Sequence, residues 1–140
     1  MARRRARRLL AQALYQWQLS GADIADVEAQ FRDDEGFGRV DAEFFHEVLR
    51  GVAEHAEALD ALVAPLLDRT VAQLDHVERA LLRLGTYELV HRIEVPWRVV
   101  IDECVTLART FGAEESHKYI NAVLDSLARS QRTREVAGDG

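Results

Sequence analysis

The chain is short of cysteine, proline and methionine, with one, two and one of these in 140 residues, and each scarcity excludes something. A lone Cys104 can neither close an internal disulfide nor supply a cysteine-based zinc site, and it is in keeping with a reducing compartment. With proline only at positions 65 and 96, long uninterrupted helices are allowed. No apolar run approaches the ~20 residues needed to span a bilayer. There is no G-x-S-x-G, no Walker loop and no H-E-x-x-H, and Gly36-Phe37-Gly38 lacks the third glycine of a dinucleotide fingerprint. The chain therefore carries no local signature of an enzyme. No internal repeat is visible.

What is present describes one folded domain. Apolar residues make up 48% of the chain, and at this length a domain buries roughly 68% of the surface its unfolded form exposes, enough for a core without a metal or disulfide staple. The N-terminus, MARRRARRLLAQALYQWQ, begins as a signal peptide does but has no sustained apolar stretch and no small-residue cleavage site. It is expected to be mature sequence, and the protein cytoplasmic.

The net charge of −6 conceals a strong asymmetry. Residues 1–20 carry five arginines and no acid, whereas residues 21–68 hold 13 acids against 3 bases. Most of such a surface repels phosphate, so a polyanion is expected to bind at the basic end alone.

Helical spacing runs through nearly the whole chain, and no alternating β-branched segment competes with it, which predicts an all-α fold of about seven helices. Ala6, Leu10, Ala13, Leu14 and Trp17 share one stripe that Ser20-Gly21 ends. Ile24, Val27 and Phe31 mark a short second helix, and residues 32–40 read as a loop. Asp41 can cap a third helix, carrying Phe45, Val48, Leu49 and Val52, with Pro65 bending its continuation. Asp75 and Glu78 have capping-box spacing, opening a helix with Val77, Leu81, Leu84 and Glu88 on one stripe. Pro96 suits the first turn of the next, Gly112 stops it, and Ser116 can cap the last. The chain is expected to form a single domain over residues 1–132, with packed subdomains of about 1–70 and 71–132, and a frayed tail at 133–140.

Two arrangements could carry chemistry. Three Glu-x-x-His pairs, Glu43/His46, Glu88/His91 and Glu114/His117, have the spacing used by carboxylate-bridged metal bundles. Helix phase turns Glu43, His46 and Glu47 to solvent and places the third pair across a helix start, so Glu88 alone is expected inside, as a hydrogen-bonded structural residue. The N-terminal helix is more informative. Arg4, Arg8, Ala11 and Tyr15 form one exposed line beside the apolar stripe, with Arg3, Arg5 and Arg7 around it. Guanidinium groups beside an aromatic at a helix N-terminus suit single-stranded RNA, whose phosphates need cations and whose unstacked bases need flat partners. Lys118 and Tyr119 repeat the pairing at the start of the last helix, and the two helix starts would make one groove if adjacent.

These segments resemble the NusB family of bacterial transcription antitermination factors. The resemblance runs through residues 3–18, 77–89 and 95–125, in order and correctly spaced. It implies an all-helical, non-enzymatic RNA-binding protein without a cofactor, which pairs with the ribosomal protein NusE on boxA RNA and joins the transcription elongation complex during ribosomal RNA synthesis. It implies an RNA surface of Arg3, Arg4, Arg5, Arg7, Arg8, Tyr15 and Tyr119, with Lys118 adjacent, and places Glu78 and Arg83 near the seam between RNA and partner. Arg8 stands where relatives often have an acid. Two other readings of the residues stay open: a dimerisation module that hides the arginine patch, and a metal-binding bundle built on the Glu-x-x-His pairs.

Overall fold

A computed structural model describes residues 1–139, which form seven α-helices and no strand among the described residues. They are α1 (Ala2–Ser20), α2 (Ile24–Arg32), α3 (Ala42–Val63), α4 (His76–His91), α5 (Trp97–Phe111), α6 (Ser116–Gln131) and α7 (Thr133–Asp139). None is long and apolar enough to cross a membrane among the described residues. The 32–40 loop contains a 3-10 turn at Glu35–Arg39, and Pro65 lies in another at Ala64–Leu66 that ends α3.

The ends of the helices follow from local chemistry. Gly21 closes α1 with φ +67°, a left-handed conformation that costs a glycine little. Asp41 accepts from the Phe44 N–H at the start of α3. Asp75 and Glu78 make both bonds of a capping box at the start of α4. Pro96 precedes the first helical residue of α5 rather than occupying it. Ser116 does not cap α6. It is the first helical residue, buried, and donates its hydroxyl to Glu78 instead.

Helix α4 is the centre of the molecule, packed on α1, α3, α5 and α6. Its Leu81, Leu84 and Leu89 are fully buried with Leu10, Leu14, Phe45, Leu49 and Leu124 in one core cluster that takes in both halves of the chain. Truncating one of these leucines to alanine should cost about 2–5 kcal/mol. Gly85 lets α4 and α6 approach, since a Cβ there would lie 2.7 Å from Leu124 Cδ1.

The C-terminal segment differs from the expected frayed tail: residues 133–139 are helical, and Gly140 lies outside the described residues. The cause is tertiary. Glu135 accepts from the Trp97 N–H at the open end of α5 (2.8 Å), Asp139 accepts from the Trp97 indole (2.7 Å), and the buried Arg132 guanidinium donates to the carbonyls of Glu88, Leu89, Arg92 and Val95.

Candidate nucleic-acid interface

Helix α1 buries Ala6, Leu10, Ala13 and Leu14, and 100° of rotation per residue brings Arg4, Arg8 and Tyr15 out along one flank, while Ala11, expected in the same exposed line, is too short to reach past its neighbours and is buried. Arg4, Arg5 and Arg8 are exposed, Arg3 is half-exposed, and Tyr15 keeps 39% of its surface. The Tyr15 ring meets the first side chain of α4, His76, edge-on at 6.0 Å between centroids. Neither a side-chain cap nor an acid occupies the first turn of α1, so the helix dipole adds to the arginine field.

Arg7 is a correction to the expected patch. It is 4% exposed, and its guanidinium makes two bonds to the fully buried Glu88 carboxylate. Burial alone would pull its pKa down, but the Glu88 bonds and charge outweigh that and hold it above its ordinary value. Arg7 lies at the edge of the apolar stripe, and the carboxylate on α4 decides which way it turns. Glu88 is thus the internal structural carboxylate its phase suggests.

The other arginines have distinct neighbours. Arg3 sits 3.4 Å from Asp41 and over the Phe44 ring at 4.5 Å. Arg4 donates from Nε (3.2 Å) and Nη2 (3.1 Å) to a single oxygen of Glu103 on α5. Arg5 reaches only the Arg39 carbonyl, at 3.5 Å. Arg8 has no carboxylate partner among the described residues and lies 5.6 Å above the Phe111 ring. Beside them runs an apolar groove of about 580 Å³, lined by Ala11, Tyr15, Leu19, Phe31, Val77 and Phe111 among others.

The second cationic–aromatic pair lies across the start of α4 from Tyr15. Glu78, two residues beyond His76, accepts from Ser116 at the head of α6 and lies 3.8 Å from Arg69. Arg69 in turn covers the Tyr119 ring at 4.5 Å, and the Tyr119 hydroxyl donates to Asp68 at 3.0 Å. Hydrogen bonds from Arg69 and Tyr119 hold the Asp68 carboxyl below its usual range, while burial and Asp68 push the Tyr119 hydroxyl up. Lys118 makes only an exposed pair with Glu115. The head of α4 therefore separates two half-open aromatics, Tyr119 beneath the Arg69 guanidinium and Tyr15 two turns along α1 from Arg8.

Arg83 does not join Glu78. It makes two bonds to Asp60 (2.9 and 2.7 Å) and one to Gln18, tying α4 to α3 and α1. Two members of the Glu-x-x-His pairs are engaged elsewhere: Glu88 holds Arg7, and His46 pairs with Glu28 at 2.7 Å. Glu47 is also not in open solvent, since it accepts from Tyr87 and pairs with Arg92. No group of three or more metal-ligating side chains comes together among the described residues. Arg69, His76, Glu103 and Phe111 were invisible to sequence reasoning as parts of this face. Each joins it through a contact between distant elements, and no local spacing signals that.

The match to known proteins covers nearly all of this geometry. Residues 4–129 fit the family model described as the NusB family. The chain is 54% identical over 136 residues to a transcription antitermination protein NusB from Alcanivorax borkumensis, covering 97% of this chain and 91% of that protein. It is 53% identical over 134 residues to the Yersinia pestis protein of the same name, covering 96% and 97%. Among solved structures, T. maritima NusB superposes with a TM-score of 0.82 at 30% identity, covering 92% of each chain. A chain from the crystal structure of antitermination factors NusB and NusE in complex with dsRNA gives 0.84 at 25% identity, covering 91% of this chain and 96% of that one.

Proposed function

The chain belongs to the NusB family, and from that premise we propose that it is a non-enzymatic, cytoplasmic transcription antitermination factor that binds boxA-type RNA together with NusE and acts within the elongation complex. The observation that carries the site is the exposed flank of α1, where Arg4, Arg8 and Tyr15 lie in line and Tyr15 meets the head of α4. Arg3 and Arg5 extend the cationic end, and Lys118 and Tyr119 supply the far side. Glu78 sits between the two halves, where a partner protein and RNA could meet. Arg7 and Arg83 act through packing, each holding a carboxylate of a neighbouring helix. The acidic remainder disfavours non-specific phosphate binding and suits a basic ribosomal protein.

The test is a titration of boxA RNA with and without NusE. Four α1 arginines on phosphates give a log–log salt slope of about −2.8, at ~0.7 per contact on a single strand. Replacing Arg4 and Arg8 together by glutamate should abolish binding, and unchanged affinity would remove the site from α1. The apolar groove favours a second reading, a homodimer that covers this face. Light scattering during the titration separates the two, since RNA binding by the monomer rules out the occluded form.

A further inference from the structure

Among the arginines of the exposed flank, Arg4 alone is held by a carboxylate that is itself mostly covered. Glu103 keeps 13% of its side-chain surface, while Arg4 keeps 67% of its own. The carboxylate is thus the covered member of the pair and the guanidinium the one open to a ligand. Both Arg4 bonds converge on Oε1, which sets the plane of the guanidinium against α5. One turn further along α1, Arg8 lies against Phe111, the last residue of α5. Helix α5 therefore supports two of the exposed arginines in one row, Arg4 by charge and Arg8 by an aromatic face.

We propose that Glu103 is a specificity-determining residue of the RNA face: it positions Arg4 and, by its own charge, repels strand paths that cross α5. The proposal rests on the RNA-binding reading above and adds to it a residue outside the cationic surface. Two physical effects act in the same direction. An arginine free to swing would follow any phosphate within its reach, whereas one held in a single plane favours the strand whose path meets it, because less freedom is lost on binding. A retained negative charge beside that arginine weakens generic phosphate attraction and leaves intact the routes that avoid it, which is discrimination by repulsion. Because the Arg4 end of the pair is open to water, the pair contributes little to folding, and its removal should register in binding rather than in stability.

The experiment compares a boxA RNA with a scrambled RNA of equal length and composition, in wild type, Glu103→Gln, Arg4→Ala and the double variant, across a salt series. Glu103→Gln should tighten the scrambled RNA several-fold and change boxA RNA little, lowering the preference at least about threefold. The scrambled-RNA salt slope should steepen by about 0.7, the increment of one added phosphate contact. In the Arg4→Ala background the same substitution should change the preference far less. Arg4→Lys, which keeps the charge but loses the planar fork, should lower the preference without touching α5 at all. Equal tightening of both RNAs, the same loss of preference with and without Arg4, or an unchanged preference in Arg4→Lys overturns the proposal. A wild type that shows no preference between the two RNAs overturns the functional reading and this proposal together.

Discussion

Arg7 and Glu88, 81 positions apart, meet in the interior through two bonds, Nε to Oε2 at 2.9 Å and Nη2 to Oε1 at 2.8 Å. The pair fastens the cationic helix to the central one, and so fixes the rotation at which Arg4, Arg8 and Tyr15 face outward. Removing one partner strands a buried charge. Arg7→Ala or Glu88→Ala should therefore cost about 3–5 kcal/mol of stability, whereas replacing both by apolar residues of similar volume should recover most of it. Urea denaturation of the two single variants and the double variant checks this. RNA affinity measured below the transition should fall far less for Arg7→Ala than for Arg8→Ala, because Arg7 is not on the surface.

Tyr15 owes its place to the same rotation. Its ring is held edge-on to His76 and remains partly open, so a base can stack on it without displacing a core residue. Tyr15→Ala should weaken boxA RNA by about 1–3 kcal/mol, and Tyr15→Phe by much less. Isothermal titration alongside thermal melting is the check. A loss of affinity that simply follows the melting temperature through both variants would make the ring a packing residue.

What was legible in the sequence is what is decided within one or two turns. The Asp75/Glu78 box, the Gly21 stop and the apolar stripe of α1 are local patterns, and the structure has all three. The cationic flank was legible for the same reason, since phase alone turns Arg4, Arg8 and Tyr15 outward. Arg7 was not, because its phase sits at the stripe's edge and a carboxylate on α4 settles its direction. Ser116 has the composition of a cap, yet the nearness of Glu78 in space gives its hydroxyl a different acceptor. Arg69 over Tyr119 joins a loop to α6 across 50 positions, and no periodicity reports such a contact.

Glu28 predicts the behaviour in acid. Burial pushes its pKa up, but bonds from His46, Arg50 and Arg32 outweigh this and hold it below the ordinary value of 4.5. A carboxyl with a lower pKa folded than unfolded contributes fully above its unfolded value and loses that contribution as pH falls through the folded one. Glu47, lowered by Tyr87 and Arg92 against its own burial, has the same sign. Stability should therefore be level from about pH 7 to about pH 5 and decline below that. Urea midpoints across this range check it. Glu28→Gln should be less stable at neutral pH and show a shallower acid decline, and an unchanged decline would assign the slope to other carboxyls.

The C-terminal helix gives the last prediction. It has no buried residue of its own, so polar bonds and the half-buried Val136 must hold it. Those bonds differ in kind. Arg132 is buried and donates to four main-chain carbonyls around the end of α4; those of Glu88 and Arg92 also accept from the Arg92 and Val95 N–H groups, so Arg132→Ala leaves the Leu89 and Val95 carbonyls without that donor and should cost about 2–3 kcal/mol. Glu135 gives Oε2 to the Trp97 N–H at the start of α5 and Oε1 to the Arg132 guanidinium at 2.6 Å, so Glu135→Ala should cost about 1–2 kcal/mol, less than Arg132→Ala because the guanidinium keeps its carbonyl partners. Asp139 bonds the Trp97 indole and sits 3.5 Å from the exposed Arg98, a contact that salt screens. Asp139→Asn or high salt should therefore shift Trp97 fluorescence with almost no change in the unfolding midpoint, read in a Trp17→Phe background. If Arg132→Ala were no more damaging than Glu135→Ala, α4 would not depend on this segment to complete its end, and α7 would be no more than a surface appendage.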